Sequence, residues 1–281
     1  MDGIALGLRL LSLLGALTIV SVFSADTVLW LFIFMGQAHF VLAYWYKFGR
    51  IKDWWRSTFF WLWVGITVCL LGLGVLEAFS LAFWVAVAGS LFVVHHIVDD
   101  LTLALGRARW FLVGGLFSGM LVLFGIELAE FVFGMVPEFA LLPYLALGTI
   151  ALSVYIARCT SDLNRYGRLY VVAIALLSAL LIVVSAGLSI AQLLGVIILL
   201  HYILWYLEYL RKLWGRGRLL RTYLIRVIGV NAVMALIWYS AIRGYELPGY
   251  EYFFSETFFF IWTTIHIIFS FIPATISFSK N

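Results

Sequence analysis

Almost the whole chain consists of apolar runs of bilayer-spanning length, and this leaves few folds open to it. A helix crosses the hydrocarbon with about 20 mostly apolar residues. Turn and charge punctuation divides the 281 residues into about ten such runs. They lie near 4–24, 27–47, 57–77, 79–105, 109–134, 138–158, 169–187, 189–210, 222–243 and 253–277, with the break at Glu77 and Ala78 the faintest. The expected fold class is all-α, a polytopic integral-membrane helical bundle of about ten transmembrane helices forming one domain over residues 1–281.

Composition excludes the soluble alternative. Charged residues make up 11% of the chain and hydrophobic ones 65%, with a mean hydropathy of +1.09, whereas soluble domains carry about 25% charged residues. The formal net charge is +4, yet the basic residues punctuate apolar runs instead of forming a patch. They point to topology and anionic headgroups, not to a nucleic-acid partner. Cys69 and Cys159 are too few and too scattered for a disulfide framework or a cysteine-based zinc site. The first run lacks a small-residue cleavage site, so no removable signal peptide is expected.

Basic residues cluster after every second run: Lys47, Arg50, Lys52 and Arg56; Arg107 and Arg109; Arg158, Arg165 and Arg168; then Arg211, Lys212, Arg216, Arg218, Arg221 and Arg226. The opposite connections carry Asp26, Glu77, Glu138, Glu246 and Glu251, and Arg243 breaks the pattern. The positive-inside rule therefore places both termini in the cytoplasm. The expected location is the cytoplasmic membrane of a prokaryote, crossed many times.

The chemistry lies in the histidines. His39, His95, His96, His201 and His266 all fall inside apolar runs, and only on the second, fourth, eighth and tenth. Counted back from the cytoplasmic ends they share one level, roughly 12 to 17 Å deep at 1.5 Å per residue. Ionisable groups in a bilayer are costly and by default functional. Four or five imidazoles from separate helices suit iron, copper or zinc better than magnesium or calcium, which makes these five the candidate metal ligands. One helical turn beyond His95 and His96 stand Asp99 and Asp100, each a candidate ligand or a carboxylate to orient a ligating imidazole. Glu208 lies two turns beyond His201 and Asn231 at similar depth, so both are candidates for catalytic or proton-transfer work. Around His39 and His266, Gly36, Ala43, Thr263 and Ser270 form small or polar flanks suited to close helix packing.

Several classes are excluded. All four lysines sit at helix ends or in connections, so no retinal Schiff base can form. The chain has no Walker-type loop, no haem-attachment CxxCH, no HExxH zinc helix and no clustered histidine boxes of the desaturase type.

The histidine layout resembles the membrane-bound β-carotene dioxygenases of bacteria and archaea, the retinal-forming family. The likeness lies in His96-Ile97-Val98-Asp99-Asp100, which has an aspartate one turn after a histidine, and in the intervals of His39, His201 and His266. No glycine follows any histidine, and Ala43 stands where an aspartate would follow His39. The resemblance implies a compact multi-helix protein whose dispersed histidines hold a non-haem iron. The expected function is a membrane oxygenase acting with dioxygen on a carotenoid, isoprenoid or lipid that enters from the bilayer. The alternatives are a b-type haem electron carrier and, third, a metal or proton transporter. Iron is the expected metal, with copper, zinc and haem b left open, as is the oligomeric state.

Overall fold

The computed structural model describes residues 3–48, 54–56, 58–89, 91, 92, 95, 151, 164–169, 171–173, 176, 190–245 and 247–271. Among these, the regular structure is helical throughout: α1 (Gly3–Val22), α2 (Ala25–Phe48), a 3-10 turn (Trp54–Arg56), α3 (Thr58–Val75), α4 (Ile190–Leu213), α5 (Gly217–Ile242), α6 (Glu251–Phe254) and α7 (Glu256–Phe271). Residues 81–89 and 165–169 are also helical. The expected fifth run and most of the sixth and seventh, together with His96, Asp99 and Asp100, lie outside the described residues.

Among the described residues, four helices are long and apolar enough to cross a membrane: α1, α2, α5 and, within α4, Leu194–Leu213. The 26-residue α5 turns large apolar side chains outward, among them Ile225, Ile228, Val233 and Leu236. Water would penalise such a face, and lipid would not.

Local chemistry sets the helix ends. Ser24 caps α2 through the Thr27 amide, Ser80 caps the 81–89 helix through Phe83, and Ser255 caps α7 through Phe258. At the end of α3, Ala78 N–H reaches Leu73 O and Glu77 adopts φ 49°, the left-handed residue of a Schellman ending. The faint sequence break at Glu77 and Ala78 is therefore a real helix terminus. Two expected boundaries move. α5 starts at Gly217, inside the basic cluster, because arginine stems continue a helix while their heads reach outward. The tenth run is divided, since Ser255 is extended at ψ 153° between α6 and α7.

The chain forms two compact units, each assembled from two separate stretches: residues 1–32 with 96–220, and residues 33–95 with 221–281. In the first, α1 packs along α4. Gly195 lies where α4 meets both neighbours: a Cβ there would stand 3.4 Å from Val20 of α1 and collide with Val28 of α2. α1 and α4 are also joined by Gln192, whose Nε2 donates to Val20 O at 3.4 Å. In the second unit α3 packs on α7, with Gly74 seated against Ile261 and Phe258.

Candidate metal centre

Three of the five histidines meet in the second unit. His39 on α2, His95 beyond the 81–89 helix and His266 on α7 are 1%, 2% and 4% exposed. The His39 and His266 ring centres stand 4.9 Å apart at 67°, and those of His95 and His266 5.8 Å apart at 87°. His266 is thus the common member, approached edge-to-face from two sides.

Aromatic rings fill the surroundings. Phe40 stacks on His266 at 4.7 Å and 27°, and Tyr44 meets it at 5.9 Å. Phe269 and Trp63 close around Tyr44. Nδ1 of His266 and the Tyr44 hydroxyl are buried with no hydrogen-bond partner among the described residues. A buried polar atom left in that state costs about 1 to 3 kcal/mol. The hydroxyls expected to flank the imidazole are used elsewhere: Thr263 donates to Phe259 O and Ser270 to His266 O, both within α7.

Gathering is not convergence. Among the described residues, no group of three or more His, Cys, Asp and Glu side chains is placed so as to hold a metal ion.

A cavity of about 410 Å³ adjoins these rings within the same unit. Its walls include Phe40 and Tyr44, shared with His266, and Met234, Ile237, Tyr250 and Trp262. Leu247-Pro248-Gly249-Tyr250 turns the chain at its rim, with Gly249 at φ 80° and Tyr250 N–H bonded to Leu247 O. Proline followed by glycine in the left-handed region is the pattern of a type II turn.

The remaining sequence candidates sit in other settings. His201, 7% exposed on α4, belongs to the first unit and lies beside Tyr202. Glu208, also on α4, accepts from Arg9 Nη1 at 3.1 Å and from Arg211 Nε and Nη2 at 3.0 and 2.9 Å. Asn231 on α5 donates to Val227 O on its own helix. Sequence reading overlooked Arg9, Phe40 and Tyr44. A lone arginine inside an apolar run was the signal available for the first; one phenylalanine and one tyrosine among so many rings gave none. No family model matches the chain, nor does any curated protein or solved structure.

Proposed function

We propose that this chain is a multi-pass membrane metalloenzyme, a non-haem iron oxygenase in which His39, His95 and His266 hold the metal beside the apolar cavity. One observation carries the reading: three buried imidazoles from three separate segments meet at 4.9 and 5.8 Å, against two rings that also wall the cavity. With metal–nitrogen bonds of about 2.1 Å, ligands at right-angle to tetrahedral positions have ring centres about 4.5 to 5.3 Å apart. The closer pair lies in that range and the other is slightly wider, so ring rotation and a small shift would turn the nitrogens to a common point.

The spacing favours iron held directly over haem. His39 and His266, in edge-to-face contact at 4.9 Å, would not hold a flat macrocycle between them as a pair.

Bound iron would supply dioxygen binding and activation. The chain's own residues would keep water out and fix the substrate. Phe40 and Tyr44 stand between the imidazoles and the cavity. A carotenoid, isoprenoid or lipid chain entering from the bilayer fits a chain so poor in polar surface. Ten spans with both termini in a prokaryotic cytoplasm, and the site in the cytoplasmic half, complete the proposal.

Mass spectrometry of metal content on detergent-purified protein, with an absorption spectrum of the same sample, tests it. Near-stoichiometric iron without a Soret band is expected. His39→Ala and His266→Ala should each retain less than about a tenth of that iron while staying monodisperse. A Soret band, a metal-free wild type or full retention in both variants overturns the assignment.

A further inference from the structure

Two basic stretches that lie far apart in the sequence come together at one end of the first unit. The register of α1 against α4 shows how. Val20 faces Gly195, Gly15 faces Ile203 and Arg9 meets Glu208, so the two helices run antiparallel. About 9 Å before Arg9 along the axis, α1 begins at Gly3, level with the turn that follows α4 at Leu213. The ring of Tyr166 stands at this start, 3.4 Å from where a Gly3 Cβ would lie. Tyr166 belongs to the short 165–169 helix, which Asn164 caps through the Gly167 amide. That helix carries Arg165 and Arg168 to the same end as Arg211, Lys212, Arg216 and Arg218.

Charge at this end is one-sided. Among the described residues the one carboxylate there is Glu208, and it is taken by Arg9 and Arg211. Arg165, Arg168, Lys212, Arg216 and Arg218 are exposed. Gly215 at φ 81°, with Arg216 N–H bonded to Leu213 O, folds the chain back within a few residues and keeps Lys212 and Arg216 on either side of one tight turn. Cations crowded in this way repel one another, and a bound anion removes that cost. The neighbouring side chains decide which anion. Trp214 and Tyr166 stand among the cations and are 78% and 42% exposed, and Leu169 and Leu219, next in sequence to Arg168 and Arg218, are 48% and 54% exposed. A soluble phosphate gains nothing from such a surround. A phospholipid does, because indole and phenol rings settle at headgroup level while apolar side chains meet the acyl tails. α1 and α4 are each long and apolar enough to cross a bilayer, so the end of the pair reaches its surface.

We infer that this end of the first unit is a binding site for the phosphate headgroup of an anionic phospholipid, held jointly by the 165–168 and 211–218 stretches. The inference needs only the membrane-spanning character of α1 and α4, and it stands whether or not the second unit holds a metal. Scattered basic residues attract anionic lipid diffusely. A site differs in that two separate stretches act on one molecule.

Native mass spectrometry of the full detergent-purified chain tests it, with titration by phosphatidylglycerol or by phosphatidylcholine of the same acyl chains. The first phosphatidylglycerol should bind about tenfold tighter, or more, than the first phosphatidylcholine. A basic side chain beside an anionic headgroup is worth about a fivefold change in affinity. Arg165→Gln and Arg216→Gln should therefore each weaken the first phosphatidylglycerol about fivefold, and together about 25-fold. Arg56→Gln removes the same charge from an exposed residue of the second unit and should leave that affinity unchanged. All three positions are exposed, so the variants should keep the wild-type circular dichroism. Equal binding of the two lipids, or equal weakening by Arg56→Gln, overturns the site in favour of diffuse attraction. Wild-type affinity for the first lipid in either single variant also overturns it, since that lipid would not be shared by the two stretches. Glycerol phosphate displacing the lipid at matched concentration would overturn the phospholipid as its ligand.

Discussion

Two buried polar clusters, one in each unit, are built in opposite ways. In the first, the Arg9 guanidinium, 7% exposed, bonds Ala5 O and the Glu208 carboxylate, which Arg211 also holds. Each charge is met by another, and the result fastens α1 to α4. In the second unit the polar groups sit among rings, and His266 Nδ1 and the Tyr44 hydroxyl find no hydrogen-bond partner among the described residues. Burial alone therefore does not mark a site. What separates the two is whether the chain satisfies the groups it buries, since a satisfied network rigidifies and an unsatisfied group is held at a cost.

The comparison breaks most readily at Glu208. Glu208→Leu leaves Arg9 buried without its carboxylate, and removing one partner of a buried pair costs about 3 to 5 kcal/mol. Its melting temperature in detergent should fall further than that of Gly74→Ala, Gly195→Ala or Asn231→Leu. Arg9→Met combined with Glu208→Leu should recover most of the loss, because the pair is replaced by apolar packing. A Glu208→Leu melting curve that overlays the wild type would show that the ion pair fastens nothing.

Glycine substitutions give a smaller effect and sharpen the contrast. A Cβ at Gly74 would approach Ile261 Cδ1 to 2.5 Å and the Phe258 ring to 3.2 Å, and one at Gly195 would strike Val28. Overpacking of this kind costs about 1 to 3 kcal/mol, so Gly74→Ala and Gly195→Ala should both melt lower. Gly74→Ala displaces α7 five residues from His266, whereas Gly195→Ala displaces α2 at Val28, eleven residues from His39. Gly74→Ala should therefore lose more iron than Gly195→Ala at a similar loss of stability. Equal iron loss in both would end the claim that the second unit holds the site.

Much of this was legible in the sequence, for identifiable reasons. Apolar runs set the helices because length and hydropathy are local properties, and Ser24, Ser80 and Ser255 end them through hydrogen bonds only three residues long. His39, His95 and His266 stood out as ionisable groups inside apolar runs, and the structure brings these three near one another, with His201 in the other unit. What stayed hidden was pairing across long separations. Arg9 and Glu208 lie 199 residues apart, and no spacing rule links them. Nor does any pattern mark Tyr44, whose significance comes from the rings around it. Arg226 was expected at the headgroups, and its guanidinium lies over Trp45 and Tyr46 at 4.9 and 5.6 Å. The neighbouring rings supply cation–π partners that charge counting does not register.

Asn231 is where sequence depth and structural setting disagree, and there the smallest effect is expected. Its depth along α5 recommended it for catalysis, yet its amide donates to Val227 O, 2.8 Å away on the same helix. A bond to a helix's own carbonyl survives in any state in which that helix remains inserted. Removing it therefore changes little between folded and unfolded-in-membrane forms, where interhelical bonds themselves average only about 0.6 kcal/mol. Asn231→Leu should melt within about 0.5 kcal/mol of the wild type and keep its iron. Iron loss at unchanged stability would instead place Asn231 with the histidines. The second unit would then bury an amide for chemistry, and the contrast with the Arg9–Glu208 pair would widen rather than close.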